Sequence, residues 1–279
     1  MAGPAELVVV ANTGDDVEVY GLHVSPDPDL VTYRLADAID ERGYGLGGDT
    51  FEVMAALEAA GRETWFRLGD RDLAMCLLRT ELLRRGERLT DAHAAVVRAL
   101  GVGARVLPMT DEPVRTHVRA RGRALGFQEF MIVEGAAGPI EGVEFRGREE
   151  ASPTPEVFAA LAGADAVVIG PSNPIASIGP ILALPGMRQA LSAMSAPVVA
   201  VSPFVGGRAL KGPTELFCES AGIAQSAQGI ADHYSGLVGA LVADEPAEGL
   251  PVRRLDTSMD DSAGRARVAE AVLELAGSL

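Results

Sequence analysis

The chain has 279 residues, enough for two domains or for one large domain with an insertion, and enough to bury a core without disulfide staples. Its 39 acidic against 24 basic residues give a formal charge of -15, which repels a polyanion at long range and argues against nucleic acid as a partner; a phosphorylated small molecule stays open because a few local donors outweigh a distant field. No apolar run approaches the ~20 residues of a membrane span and no basic, apolar leader opens the chain, so a cytoplasmic protein without membrane attachment is expected.

In chain order, "ELVVVAN" (6 to 12) reads as a strand buried on both faces, and "HVSPDPDLVTYRLA" (23 to 36) as a helix start with Asp27 and Asp29 beside Pro26 and Pro28. "TFEVMAALEAAG" from Thr50, "DRDLAMCLLRTELLRRG" from Asp70 and "TDAHAAVVRALG" from Thr90 carry apolar residues at helical spacing. Asp49, Asp70 and Thr90 stand near the expected N-caps, with Gly61, Gly86 and Gly101 at the ends. "ARVLPM" (104 to 109) reads as a second strand. From Asp111 to Arg148, "VRTHVRARG", "GFQEFMIVE" and "IEGVEFRG" show period-two patterning between Gly-rich turns, and predict a small β-rich insertion subdomain over 111–149. "ADAVVIGP" (164 to 171) and "APVVAVSP" (196 to 203) restore the alternation, and "DSAGRARVAEAVLELAGSL" is an amphipathic closing helix. The fold class is α/β, with a Rossmann-like three-layer parallel sheet built from 1–110 and 150–279. Cys76 and Cys218 lie in apolar helical patterns without metal-ligand spacing and read as reduced core residues.

In open parallel sheets ligands collect beyond the carboxyl ends of the strands, so the residues after each apolar run carry the functional interest. After "LVVVA" comes "NTGDD", with Asn12, Asp15 and Asp16 on a tight turn. After "AVVIG" comes "PSNPIASIG", where Ser172, Asn173 and Ser177 supply hydroxyl and amide groups and the turn could aim backbone N–H groups at a phosphate. After "VVAVSP" comes "FVGGRALKGP", with two glycines and Lys211, the only lysine of the chain. Each turn alone is ordinary chain-reversal chemistry. Their convergence on one sheet edge would offer carboxylates for a hard cation, donors for phosphate and a lysine. "WFRLGDRDLA" (65 to 74) sets Trp65, Asp70, Arg71 and Asp72 at a helix start, and the four histidines share no metal spacing.

Taken in order, "NTGDD", "GLHVSPDPDLVTYRLA", "GYGLGGDTF", "WFRLGDRDLA", "RTELLRRGERLT", "LPMTDEPVRT", "GFQEF", "GPSNPIASIGPILALPG" and "SPFVGGRALKGP" resemble the 2-phospho-lactate transferase family of deazaflavin coenzyme F(420) biosynthesis, from about Glu6 to Glu245. The resemblance implies transfer of a 2-phospho-lactyl or phosphoenolpyruvyl group from a diphospho-5'-guanosine donor to the ribityl hydroxyl of 7,8-didemethyl-8-hydroxy-5-deazariboflavin, with release of GMP. It also implies Mg2+ as cofactor and a homodimer. By position, Asp15 is implied to hold the metal, Asp29 to reach both acceptor and metal, and Arg71 to face the acceptor. Asp49 and Thr50 are implied to shape the deazaflavin pocket, and Ser172, Asn173, Ser177 and Gly179 to hold the donor; Lys211 joins the binding residues from its strand-end position. Two departures stand out: the family carries a strand and a "GGxGGAK"-like loop ahead of "NTGDD", which is expected to be missing here, and Tyr20 occupies a position where histidine is common. A non-catalytic nucleotide-sugar-binding regulator of the related gluconeogenesis-factor type is the alternative. That type lacks "GDRDLA" and the "SPDPDLVTY" helix, both present here, and an inactive truncated paralogue is the third reading.

Overall fold

The computed structural model describes residues 6–209 and 212–279, so Lys211 lies outside the described residues. The chain divides into two compact units, one of residues up to His117 with Leu125–Ala137 and Phe145–Val157, the other of Val118–Ala124, Gly138–Glu144 and Phe158–Leu279.

The first unit begins with β1 (Val8–Ala11), β2 (Val17–Val19), β3 (Leu22–Val24), α1 (Pro26–Leu35), α2 (Glu52–Ala59), α3 (Asp70–Arg84), α4 (Leu89–Ala99) and β4 (Arg105–Pro108). β1 and β4 pair in parallel, Val8 opposite Arg105 through Ala11 opposite Pro108, and α4 packs over them through Val97 against Ala11 and Val106. β2 and β3 form an antiparallel hairpin whose two-residue turn puts both Tyr20 (φ 55°) and Gly21 (φ 74°) in the left-handed region, the type I′ geometry that matches strand twist. The Tyr20 hydroxyl donates to the Phe66 carbonyl at 2.8 Å, so this side chain ties the turn to the segment before α3. Under the hairpin, Val19, Leu22 and Val24 pack with Met54, Phe66, Leu68, Leu73 and Cys76.

Helix starts differ from the sequence expectation in an instructive way. Asp70 does not cap α3; its carboxylate accepts from Thr50 Oγ1 (2.6 Å) and from the Glu52 and Val53 amides (3.0 Å each), so it caps α2. Asp49 in turn accepts from the Arg71 amide (2.9 Å) and the Asp72 amide (3.1 Å) and caps α3. Thr90 receives rather than supplies its cap, from Asp111 at 2.8 Å. Gly69 is required between the two crossed caps, because a Cβ there would overlap the Asp49 carboxylate. The three C-terminal glycines, Gly61, Gly86 and Gly101, adopt positive φ as the spacing predicts, and the residue after each donates back into its helix.

Along the next stretch run β5 (Arg115–Ala120), β6 (Arg123–Gly126), a π-helical turn (Glu129–Val133) and β7 (Ile140–Arg146), with strand order β6-β5-β7. "GFQEFMIVE", read as a strand, is therefore the π-helical turn; Phe127 and Phe130 stand three apart, which is helical spacing.

The remaining elements are α5 (Pro155–Ala162), β8 (Val167–Ile169), α6 (Ile178–Ala183), α7 (Met187–Ser192), β9 (Val198–Val201), β10 (Phe204–Val205), β11 (Arg208–Ala209), α8 (Thr214–Ser220), α9 (Ala227–His233), β12 (Ala240–Ala243), β13 (Val252–Arg254) and α10 (Ser262–Ala276). β8, β9, β12 and β13 form a parallel sheet in the order β13-β12-β9-β8, so the parallel strands of the α/β fold fall into two sheets, this one and β1-β4. β9 and β12 are buried throughout, and α10 covers them with Val268, Val272 and Ala276. The glycine pair of "FVGGRA" makes the tight turn of the β10-β11 hairpin, Gly206 at φ 57° and Gly207 at φ 73°. Both cysteines are free and buried, and no helix among the described residues is long and apolar enough to cross a membrane.

The crossed caps make a direct prediction. Asp49→Ala leaves the first amides of α3 unmatched and should lower stability by about 1 kcal/mol in urea unfolding, with Asp70→Ala doing the same through α2.

Candidate active site

The turn that follows β1 is polar and yet buried. Asn12, Thr13, Asp15 and Asp16 are each at most 5 % exposed. Charged residues at such depth need partners, and the chain supplies them from four directions. Asn12 Oδ1 accepts from the Gly14 amide at 2.7 Å, which fixes the orientation of its carboxamide and sends Nδ2 to Asp27 Oδ2 at 3.0 Å and Asp15 Oδ1 at 3.4 Å. Asp16 accepts from the Ser25 hydroxyl at 2.6 Å and meets His23 Nε2 at 2.9 Å, while His23 Nδ1 faces Glu18 at 2.8 Å. Gln128 Nε2 donates to the Asp15 carbonyl (3.1 Å) and to Asp15 Oδ2 (3.3 Å). The hydroxyls of Thr13 and of Thr116, whose amide donates to the Gly14 carbonyl at 2.6 Å, are buried without a partner among the described residues. Buried hydroxyls of that kind call for an explanation at a functional site.

Electrostatics separate the carboxylates. Burial first, then the neighbouring Asp27 and Asp16, push the Asp15 carboxyl well above its ordinary range. Burial also raises Asp27, against the Asn12 hydrogen bond, with Asp16 adding to the rise. Among the described residues these two carboxylates are held by amides, with no cation in direct contact. Oxygen-rich, mutually repelling and partly desolvated, they make a donor set suited to a hard divalent ion.

Asp29 has a different environment. It is 3 % exposed and both its oxygens are taken by Arg79, at 2.7 and 2.8 Å, in a two-pronged pair. Arg79 is fully buried on α3 and also donates to the His23 carbonyl at 3.2 and 3.3 Å. Burial opposes the guanidinium charge, but Asp29 reverses that and holds the group firmly protonated. Around the pair, Tyr33 donates to Asp72 at 2.5 Å, and burial of Asp72 raises its carboxyl to about 6. His93 Nε2 lies 3.2 Å from Thr32 Oγ1, whose proton goes to the Pro28 carbonyl, so Nε2 carries the hydrogen and Nδ1 is left bare, 3.9 Å from Asp29. Asp29, Asp72 and Cys76 lie close enough together to suggest a metal cluster, but the Arg79 guanidinium already supplies the positive charge there.

The other expected residues fall as follows. Asp49 and Thr50 belong to the crossed caps, and Arg71 sits exposed at the start of α3 with Nη1 on the Gly47 carbonyl at 3.1 Å. In the second unit, the turn after β8 is closed on itself. Asn173 Oδ1 accepts from the Ile175 and Ala176 amides at 2.9 Å, and its carbonyl accepts from Ser177 and Ile178 at 3.0 Å, so those N–H groups are spent internally. Ser172 is exposed, Ser177 is the N-cap residue of α6 without a side-chain capping bond, and Gly179 lies within α6. Asp27, Arg79, His93 and Gln128 carry polar contacts that the sequence reading did not assign. A local signal existed for the α1 pair alone, since residues two apart on a helix diverge by about 160° and Asp27 and Asp29 cannot share a face.

The sequence matches the family described as 2-phospho-L-lactate transferase CofD over residues 2–263. The chain belongs to this family. It is 40 % identical over 285 residues to the 2-phospho-L-lactate transferase of Methanopyrus kandleri, covering 99 % of this chain and 91 % of that one. It is 38 % identical over 293 residues to the phosphoenolpyruvate transferase of Mycobacterium avium, covering 99 % and 87 %. In structure it resembles a Bacillus halodurans member of the UPF0052 family with a TM-score of 0.61 at 17 % identity, over 97 % of this chain and 92 % of that one, which supports the α/β fold alone. A 2-phospho-L-lactate transferase is an enzyme, and the non-catalytic regulator reading is not favoured. Within the family's "NTGDD" and "SPDPDLVTY" segments, the structure brings Asp27 beside Asp15 and commits Asp29 to Arg79.

Two outcomes follow for this family member. Arg79→Met leaves Asp29 buried and uncompensated and should cost about 3–5 kcal/mol in chemical denaturation, part of which Asp29→Leu in the same chain restores. Burial lowers His93 from 6.5 to about 4. Its stabilising contribution is thus complete above pH 6.5 and lost as the pH falls toward 4, and His93→Gln should flatten that part of the acid-denaturation curve.

Proposed function

We propose that the chain transfers a 2-phospho-lactyl or phosphoenolpyruvyl group from its diphospho-5'-guanosine donor to the ribityl hydroxyl of 7,8-didemethyl-8-hydroxy-5-deazariboflavin, in coenzyme F(420) biosynthesis. The hydroxyl oxygen bonds to the phosphorus that carries the three-carbon acid, the P–O bond to GMP breaks, and the hydroxyl proton passes to solvent. The observation that carries this reading is the Asn12-bridged pair of Asp15, on the turn after β1, and Asp27, at the start of α1, inside two of the segments that carry the family resemblance. Relatives whose names specify the two donors match this chain at 38 and 40 % identity, so both belong in the test.

Mg2+ fits this pair: Asp15 and Asp27 would hold it, and when bound it neutralises charge on the diphosphate. Asp29 takes a supporting part, because both of its oxygens serve Arg79. Asn12 orients the two carboxylates, and the exposed Arg71 is the basic group available to the acceptor. Ser172, Asn173, Ser177 and Gly179, on the turn after β8 and the start of α6, are assigned to the donor, and so is Lys211, which lies outside the described residues. The assembly that goes with this reading is a homodimer, which light scattering on the purified protein measures.

Incubation with acceptor, Mg2+ and each donor in turn should yield the phosphodiester and GMP. Asp15→Asn and Asp27→Asn should each lower kcat by roughly a hundredfold or more while the protein stays folded, since several kcal/mol of charge stabilisation leave with the ion. Absence of product from both donors with a folded protein overturns the assignment.

A further inference from the structure

"GFQEF" is a motif of the chain to which neither its local chemistry nor the reaction gives a part. Its glutamine approaches the site across 113 positions of sequence and makes two contacts there, from Nε2 to the Asp15 carbonyl at 3.1 Å and to Asp15 Oδ2 at 3.3 Å. Both acceptors are oxygens, so the carboxamide must turn its nitrogen toward Asp15. The other oxygen of the same carboxylate, Oδ1, faces the Asn12 amide at 3.4 Å, and Asn12 is itself fixed by the Gly14 amide. Asp15 is therefore clamped by two carboxamides, one per oxygen. Asn12 belongs to the same turn and links Asp15 to Asp27, whereas Gln128 grips the main chain and the side chain of Asp15 together.

Gln128 immediately precedes the π-helical turn Glu129–Val133, a rare conformation that recurs at functional sites, and Phe130 anchors that turn in the core. Gln128 itself is half-buried. We propose that Gln128 is a positioning residue for the cation site: it fixes Asp15 from the far side so that the carboxylate is held in register with Asp27. This rests on the cation reading of the Asp15–Asp27 pair, and the role is that of an outer partner which orients a ligand.

The test uses the full chain and Mn2+ as the probe, with free Mn2+ read by electron paramagnetic resonance. Gln128→Ala, and Gln128→Asn whose amide is one methylene short, should each weaken Mn2+ binding about tenfold with an unchanged thermal midpoint. In the transferase assay the half-saturating Mg2+ should rise while the KM for the acceptor holds, a split that a merely structural role would not produce. Equal Mn2+ affinity in the parent and both variants overturns the proposal, as does a loss of affinity matched by a fall in thermal midpoint in both. A parent chain that binds no Mn2+ overturns the cation reading and this proposal with it. A parent chain that binds Mn2+ but makes no product overturns the reaction alone, and the Mn2+ comparison still decides the role of Gln128.

Discussion

A guanidinium with no solvent contact, Arg79 on α3, organises the first unit. It holds both oxygens of Asp29 on α1 and the carbonyl of His23 on β3, so a single planar group fixes the mutual placement of one helix, one hairpin strand and its own helix. Such a pair repays its desolvation only when nearly all its hydrogen-bonding capacity is used, and here five donor contacts, counting the one to Cys76, meet that condition. The placement of the turn after β1 depends on the result. His23, whose carbonyl Arg79 holds, reaches Asp16 with its ring, and α1, which Asp29 anchors, carries Asp27 to Asp15.

The carboxylates along this path divide the labour by environment. Asp29 is paired with a built-in cation, Asp16 accepts from Ser25 and meets the His23 ring, and the direct side-chain contacts of Asp15 and Asp27 are with amides. An amide stabilises a carboxylate less than a cation does, so the last two remain unbalanced. Asp72 is kept nearer to neutrality by burial and satisfied by Tyr33, which leaves it a packing element of the α1–α3 contact.

Strong local patterns in the sequence located most of the fold: both strands of the β1-β4 sheet, β8, β9, the helices from α2 to α4 and the closing helix all lie where apolar periodicity put them. β12 escaped, although it is central and wholly buried, because four residues of "ALVA" carry too little β-branched signal to stand out. "GFQEFMIVE" misled because a short apolar run is compatible with either period. In the site, the Asp15 turn was legible as a cluster of turn-forming polar residues after a strand. That Asp29 pairs with Arg79 while Asp27 meets Asn12 was not, because it turns on which face of α1 meets a residue 50 positions further along the chain from Asp29. Gln128 was out of reach for the same reason: its partner is fixed by tertiary structure, with no local pattern to mark it.

The exchange of caps between α2 and α3 has a dynamic consequence. Each helix start borrows its carboxylate from the segment leading into the other, so neither first turn is satisfied when the other unravels. The two ends therefore open and close as one cooperative piece, and Arg71 rides on that piece with Thr50. Whatever stiffens one helix tip lends order to the other.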